Sequence, residues 1–113
     1  MPQILPEVSV ETFAQRQTED KDLQLIDVRE PHEIEIAALK NFQTLPLSQF
    51  EQWSPRIAVD FDSAAETYVL CHHGVRSAQM CQWLQQQGFS NVINIAGGID
   101  AYSLRIDRGV PRY

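Results

Sequence analysis

The chain has 113 residues, 43% of them apolar and 21% charged, with 9 Lys and Arg against 15 Asp and Glu for a formal charge of −6. That length suits one domain, which buries about two thirds of the surface its unfolded form would expose, and the composition is that of a folded protein rather than a disordered or low-complexity one. Scattered bases make nucleic acid an unexpected partner, because phosphate binding rests on clustered Lys and Arg. Apolar runs such as IAAL and YVLC fall far short of the roughly 20 residues that span a bilayer.

Taken in chain order, MPQILPEVSV has neither a basic region nor a long apolar one, so no secretory signal is expected. The whole chain, 1–113, is read as a single soluble cytoplasmic domain. SVETFAQRQ (9–17) predicts a helix capped by Ser9, with Val10, Phe13 and Ala14 on one face. LQLIDVR (23–29) predicts a strand. PHEIEIA (31–37) predicts a short helix with Pro31 in its first turn and His32 at the surface. FQTLPL (42–47) is a short strand bounded by Pro46, and SQFEQW (48–53) a short helix. TYVLC (67–71) is β-branched, aromatic and buried. SAQMCQWLQQQG (77–88) is the clearest helix: Ser77 is its expected N-cap, Ala78, Cys81 and Leu84 recur at helical spacing, and Gly88 ends it in a left-handed conformation. NVINIAG (91–97) is a third strand of the same kind, and IDAYSLR (99–105) a closing helix. Strands separated by helices, without an Asn-Gly hairpin turn, imply an α/β fold with a mainly parallel sheet covered on both faces. Ligands in such folds bind outside the carboxyl edge of the sheet. Asp27 and Cys71, each at a strand's end, belong to that edge.

Two cysteines and no C-x-x-C pair make neither a disulfide framework nor a zinc site. Cys81 shares a helical stripe with Ala78 and Leu84 and is read as core. Cys71 could be a nucleophile, a metal ligand or a small buried hydrophobe, and its surroundings favour the first. Only HHGVR separates it from Ser77. Gly74 frees the loop from the Cβ restriction, so successive N–H groups can turn inward as an anion-binding nest. A helix starts at once, adding its unpaired N–H groups and the positive end of its dipole. These features, with Arg76 nearby, favour a thiolate, and the same cradle can hold a second anion. Adjacent histidines in a tight loop rarely aim at one ion. His72 and His73 therefore shape the mouth, where a protonated imidazole adds positive charge below neutral pH.

CHHGVRSA, a C-x-x-G-x-R-S loop ahead of a helix, resembles the active-site loop of the single-domain rhodanese sulfurtransferases. LIDVREPHEIEIA, LPLSQF, GFSNVINIAGGIDAY and VPRY are similar to other family segments, so the likeness runs over about residues 4–113. The resemblance implies a doubly wound domain around a parallel sheet of about five strands. It further implies that Cys71 takes the outer sulfur of a donor such as thiosulfate as a persulfide and passes it to cyanide, a thiol or a protein, with no metal or organic cofactor. The backbone N–H groups of His72, His73, Gly74, Val75, Arg76 and Ser77 would cradle that sulfur, and Arg76 would attract and orient an anionic donor. Ser77 would cap the helix and hydrogen-bond near the thiolate. Asp27 and Arg29 would stand behind the loop. AALKNF (37–42) lacks the glycines and histidine of the family's G-H-I-x-G-A, which puts the rim there in question, and Tyr102 stands where tryptophan is frequent. Two other classes compete. Cysteine phosphatases and arsenate reductases also seat a thiolate in an anion-binding loop, but the protein phosphatases place five residues between Cys and Arg, against four here. A non-catalytic binding module or sulfur relay would keep the fold with a different role.

Overall fold

The computed structural model describes residues 5–113; residues 1–4, with the start of the expected domain and of the MPQI segment, lie outside it. Five strands, β1 (Glu7–Val8), β2 (Gln24–Asp27), β3 (Gln43–Thr44), β4 (Thr67–Leu70) and β5 (Val92–Ile95), form one sheet in the order β1-β5-β4-β2-β3. Every pairing is parallel, with Gln24 opposite Thr67, Asp27 opposite Leu70 and Thr67 opposite Val92. The two central strands, β2 and β4, thus end together, and they carry Asp27 and Cys71 to the same edge.

Two apolar cores cover the sheet's faces. One gathers Val10 and Phe13 of α1 (Val10–Glu19), Tyr68, Leu70 and Ile99 of α6 (Gly98–Arg105). The other packs Met80, Cys81 and Leu84 of α5 (Val75–Gln86) with Ile26, Val69, Ile57 and Phe61. Along β4 all four residues are buried, as a central parallel strand requires. Ser9 caps α1 by accepting from the Thr12 N–H at 3.2 Å, as its sequence position predicts. Helix α2 (Pro31–Ile36) opens with a capping box between Glu30 and Glu33. SQFEQW resolves into a 3₁₀ turn at Leu47–Gln49 followed by α3 (Phe50–Trp53); a second such turn leads into α4 (Ile57–Asp60). No helix among the described residues is long and apolar enough to cross a membrane.

Three elements differ from expectation. Helix α5 starts at Val75, two residues before the expected start, and its N-cap is Gly74 at φ +99°, not Ser77. Strand β1 and helix α4 carry no pattern in the sequence: two residues cannot show an alternation, and four cannot show a helical face. Gly88 does adopt a left-handed conformation, at φ +92°, just past the end of α5.

Candidate active site

β4 delivers Cys71 to the sheet's edge with 1% of its surface exposed, and the chain then bends back through His72, His73 and Gly74. The bend depends on Gly74, whose positive φ disfavours any other residue and whose N–H points at the sulfur, donating to Cys71 Sγ at 3.0 Å. Helix α5 begins directly after it, and its first internal bond runs from the Ala78 N–H to the Gly74 carbonyl. The N–H groups of Val75, Arg76 and Ser77 have no carbonyl within the helix to receive them, so they supply the positive pole expected of a helix start.

Gly98 holds the loop from behind. Its neighbours Ile99 and Asp100 donate their N–H groups to the carbonyls of Cys71 (2.9 Å) and His72 (3.1 Å). At Gly98 itself, at φ +60°, a Cβ would lie 2.4 Å from the Cys71 carbonyl oxygen and 2.5 Å from that of His72, so only glycine allows the approach.

Ser77 is fully buried in the first turn of α5, with its Oγ 3.2 Å from Cys71 Sγ. The expectation that it caps the helix fails because this hydroxyl is used on the sulfur and on Asn94. It donates to Asn94 Oδ1. Asn94, on β5, is fixed in turn by donating from Nδ2 to Glu7 (3.0 Å) and to the Gly74 carbonyl (3.1 Å). A hydroxyl has one proton. While that proton lies on Asn94, Ser77 can only accept from the Cys71 thiol; once the sulfur is an anion, the proton must turn to it. Asn94 is a site residue that the sequence reading missed.

Arg76 does not stand free. Its two terminal nitrogens donate to the two carboxylate oxygens of Glu33, at 2.7 and 2.8 Å, and Glu33 is 93% buried. The Arg76 hydrogen bonds, outweighing burial, hold the Glu33 carboxyl far below the usual carboxylate range. Tyr113 donates to the same carboxylate at 2.7 Å and accepts from Arg29 at 3.1 Å. Arg29, fully buried, clasps Asp27 through Nη2 (2.7 Å) and Nε (3.0 Å). One chain of polar contacts therefore runs from the end of β2 through Tyr113 and Glu33 to Arg76. Asp27 and Arg29 connect to Arg76 through Tyr113 and Glu33, neither of which the sequence anticipates as a site residue.

His72 is stacked between His73 and Tyr113, with ring centroids 3.9 Å apart in each pair. Burial, helped by the neighbouring His73, holds the His72 imidazole below its ordinary value, so it stays neutral to lower pH than a free histidine. Asp100 comes within 4.8 Å of the two imidazoles, the separation at which three ligands could surround an ion. Asp100 already accepts from Arg112 at 3.0 Å. His32 is exposed, and Cys81 is fully buried in the core with its thiol pushed up to about 12, chiefly by burial.

The model of the Rhodanese-like domain matches residues 9–105, nearly the whole described chain and all of the Cys71 loop. The chain belongs to this family. It is 53% identical over 92 residues to an Arabidopsis thaliana protein named Rhodanese-like/PpiC domain-containing protein 12, chloroplastic, covering 81% of this chain and 31% of that protein. It is 33% identical over 89 residues to the thiosulfate sulfurtransferase GlpE of Vibrio cholerae, covering 79% and 80% of the two. The crystal structure of a rhodanese-like domain protein from Staphylococcus aureus superposes with a TM-score of 0.77 over 96% of this chain and 99% of that one; at 24% identity this shows the shared fold. The chain thus spans under a third of the plant relative, and the rhodanese-like fold agrees with the parallel sheet derived above.

Proposed function

We propose that this domain is a sulfurtransferase that carries a sulfane sulfur as a persulfide on Cys71. The observation that carries the reading is the Gly74 N–H aimed at Sγ from 3.0 Å at the start of α5. A donor N–H and a helix amino terminus stabilise an anion, whether the thiolate or the terminal sulfur of a persulfide. The thiolate attacks the outer sulfur of a donor such as thiosulfate; a bond forms between Sγ and that sulfur, the donor's S–S bond breaks, and sulfite leaves with the electron pair. A thiophile then attacks the terminal sulfur and Cys71 leaves as the thiolate. In the usual assay cyanide takes the sulfur as thiocyanate, and a thiol or a second protein takes it in the cell. Ser77 supplies a proton-bearing oxygen to whichever sulfur is charged. The N–H groups of the loop from His72 to Ser77 are the cradle of the persulfide, and no metal or organic cofactor takes part.

Both cysteines are free thiols, which suits a reducing compartment, and we place the chain in the cytoplasm. The four-residue gap between Cys71 and Arg76, with Arg76 clamped on Glu33, argues against a phosphatase: a tetrahedral phosphate needs a wider cradle and an arginine free to grip it. The test is a thiosulfate-to-cyanide assay on wild type and Cys71→Ser, with intact mass after incubation with thiosulfate. Wild type should form thiocyanate and gain one cyanide-labile sulfur, and the variant neither. Steady hydrolysis of an aryl phosphate without any sulfur loading would overturn the reading.

A further inference from the structure

The cations that border the loop are each met by a carboxylate. Arg76 is held by both oxygens of Glu33, Arg112 donates to Asp100 at 3.0 Å, and His73 Nε2 lies 3.9 Å from Asp100. Arg29, the other guanidinium of the network, is fully buried against Asp27. Glu33 is the decisive member: it is buried, and its hydrogen bonds from Arg76, Tyr113 and the Glu30 N–H are satisfied by the anion. A bidentate arginine–carboxylate pair of this kind is geometrically locked. It also cancels most of the field that Arg76 would otherwise project over the cradle, because the two charges sit within hydrogen-bond distance of each other. Apolar surface also borders the loop. Val75 is 67% exposed and Tyr113 36% exposed next to the stacked imidazoles.

Resting on the sulfurtransferase reading, we infer that Glu33 is a specificity residue that neutralises Arg76 and so selects an organic persulfide, R–S–S⁻ or R–S–SH, over the dianion thiosulfate as sulfur donor. The transfer is balanced without a redox partner. Cys71 thiolate bonds to the terminal sulfur, the R–S to S bond breaks, and R–S⁻ leaves with the electron pair and takes a proton from water. The persulfide carries at most one negative charge at its sulfur, so it has less need of a free cation. Its organic part can rest on Val75 and Tyr113, whereas thiosulfate has only its charge to offer. Arg76 in this view positions the loop and does not grip the donor.

The experiment is single-turnover loading of Cys71, followed by mass, with the persulfide of benzyl mercaptan, which carries no charge beyond its sulfur, and with thiosulfate as separate donors. Wild type should load at least about tenfold faster from the organic persulfide. Glu33→Gln keeps the shape of the side chain and one of its two accepting oxygens but leaves the Arg76 charge uncompensated, so the ratio of thiosulfate to persulfide rate should rise about tenfold, an effect of the size of one nearby charge in a partly screened setting. The gain should fade as salt is raised. The double variant Glu33→Gln/Arg76→Gln restores a neutral pair, and its ratio should return to within about threefold of wild type. If Arg76 binds the donor directly, that ratio should instead drop below wild type, and the inference is lost. An unchanged ratio in Glu33→Gln, with a native far-UV spectrum, overturns it as well. Failure of both donors to load Cys71 would remove the sulfurtransferase reading itself.

Discussion

Cys71 and Cys81 are buried in the same apolar cluster, one at the end of β4 and the other two turns into α5, yet their surroundings ask opposite things of a thiol. Around Cys71 a backbone N–H points at the sulfur, and a serine oxygen 3.2 Å away can turn its proton there once the sulfur is an anion. Around Cys81 desolvation dominates, with the charge of Cys71 adding to it, and the thiol is pushed up to about 12. Burial alone therefore says nothing about reactivity. What separates the two is the presence of donors that face the sulfur and were already desolvated when the chain folded.

The strongest way to break this contrast is Gly98→Ala. The new Cβ collides with the Cys71 and His72 carbonyls, which are backbone and cannot rotate away, so the loop must leave α6. Stability should fall by roughly 3 kcal/mol or more, read by urea unfolding, and alkylation of Cys71 in the folded protein should drop toward that of Cys81. A native rate of alkylation would show that α6 does not hold the loop. Ser77→Ala should act more gently. It removes the side-chain donor and leaves the Gly74 N–H, so iodoacetamide alkylation of Cys71 and sulfur loading should both slow by about tenfold, the worth of one hydrogen bond to a charged group; equal rates would mean that Ser77 serves only packing and Asn94.

Cys81→Ala is the mildest at neutral pH. It should cost about 1 kcal/mol of stability from the small cavity it leaves and should not change sulfur loading. Its pH dependence sharpens the comparison. The folded value is raised, so the stabilisation from keeping this thiol neutral is complete below its unfolded value of about 9 and is lost as pH rises toward about 12. The stability difference between wild type and Cys81→Ala, measured by urea unfolding from pH 8 to 11, should narrow with rising pH. A constant gap would show that Cys81 ionises no differently in the folded chain.

Much of this was legible in the sequence, for identifiable reasons. Strands β2, β4 and β5 are compact aliphatic runs bounded by polar residues, and α1 and α5 repeat their apolar positions at helical spacing, so their types and approximate limits follow from local pattern. The start of α5 did not follow. Serine is a good N-cap on average, but the Ser77 hydroxyl has stronger uses here, on a sulfur and on an asparagine from another strand, and the cap passes to Gly74. Arg76 was legible as a charge beside the cysteine, whereas its pairing with Glu33 joins residues 43 positions apart and leaves no local trace. Glu33 closes the E-x-x-E of the α2 capping box, a local role that gives no hint of its partner in α5. Asn94 and Tyr113 read as an ordinary strand residue and a chain-end aromatic, and only the tertiary fold shows what they touch.

The two N–H groups that α6 gives to the carbonyls of Cys71 and His72 bear on how this cradle could change. Enlarging it to phosphate size needs an extra residue between Cys71 and Arg76. Such an insertion would shift the chain by a full residue's rise, and either those two donors or the Gly74 N–H at the sulfur would lose its partner. Point substitutions can retune the rim without touching this arrangement, but a change in loop length must dismantle it first. The ring size of the cradle is thus the conservative element of the site, and its charged border the part free to drift toward new sulfur donors.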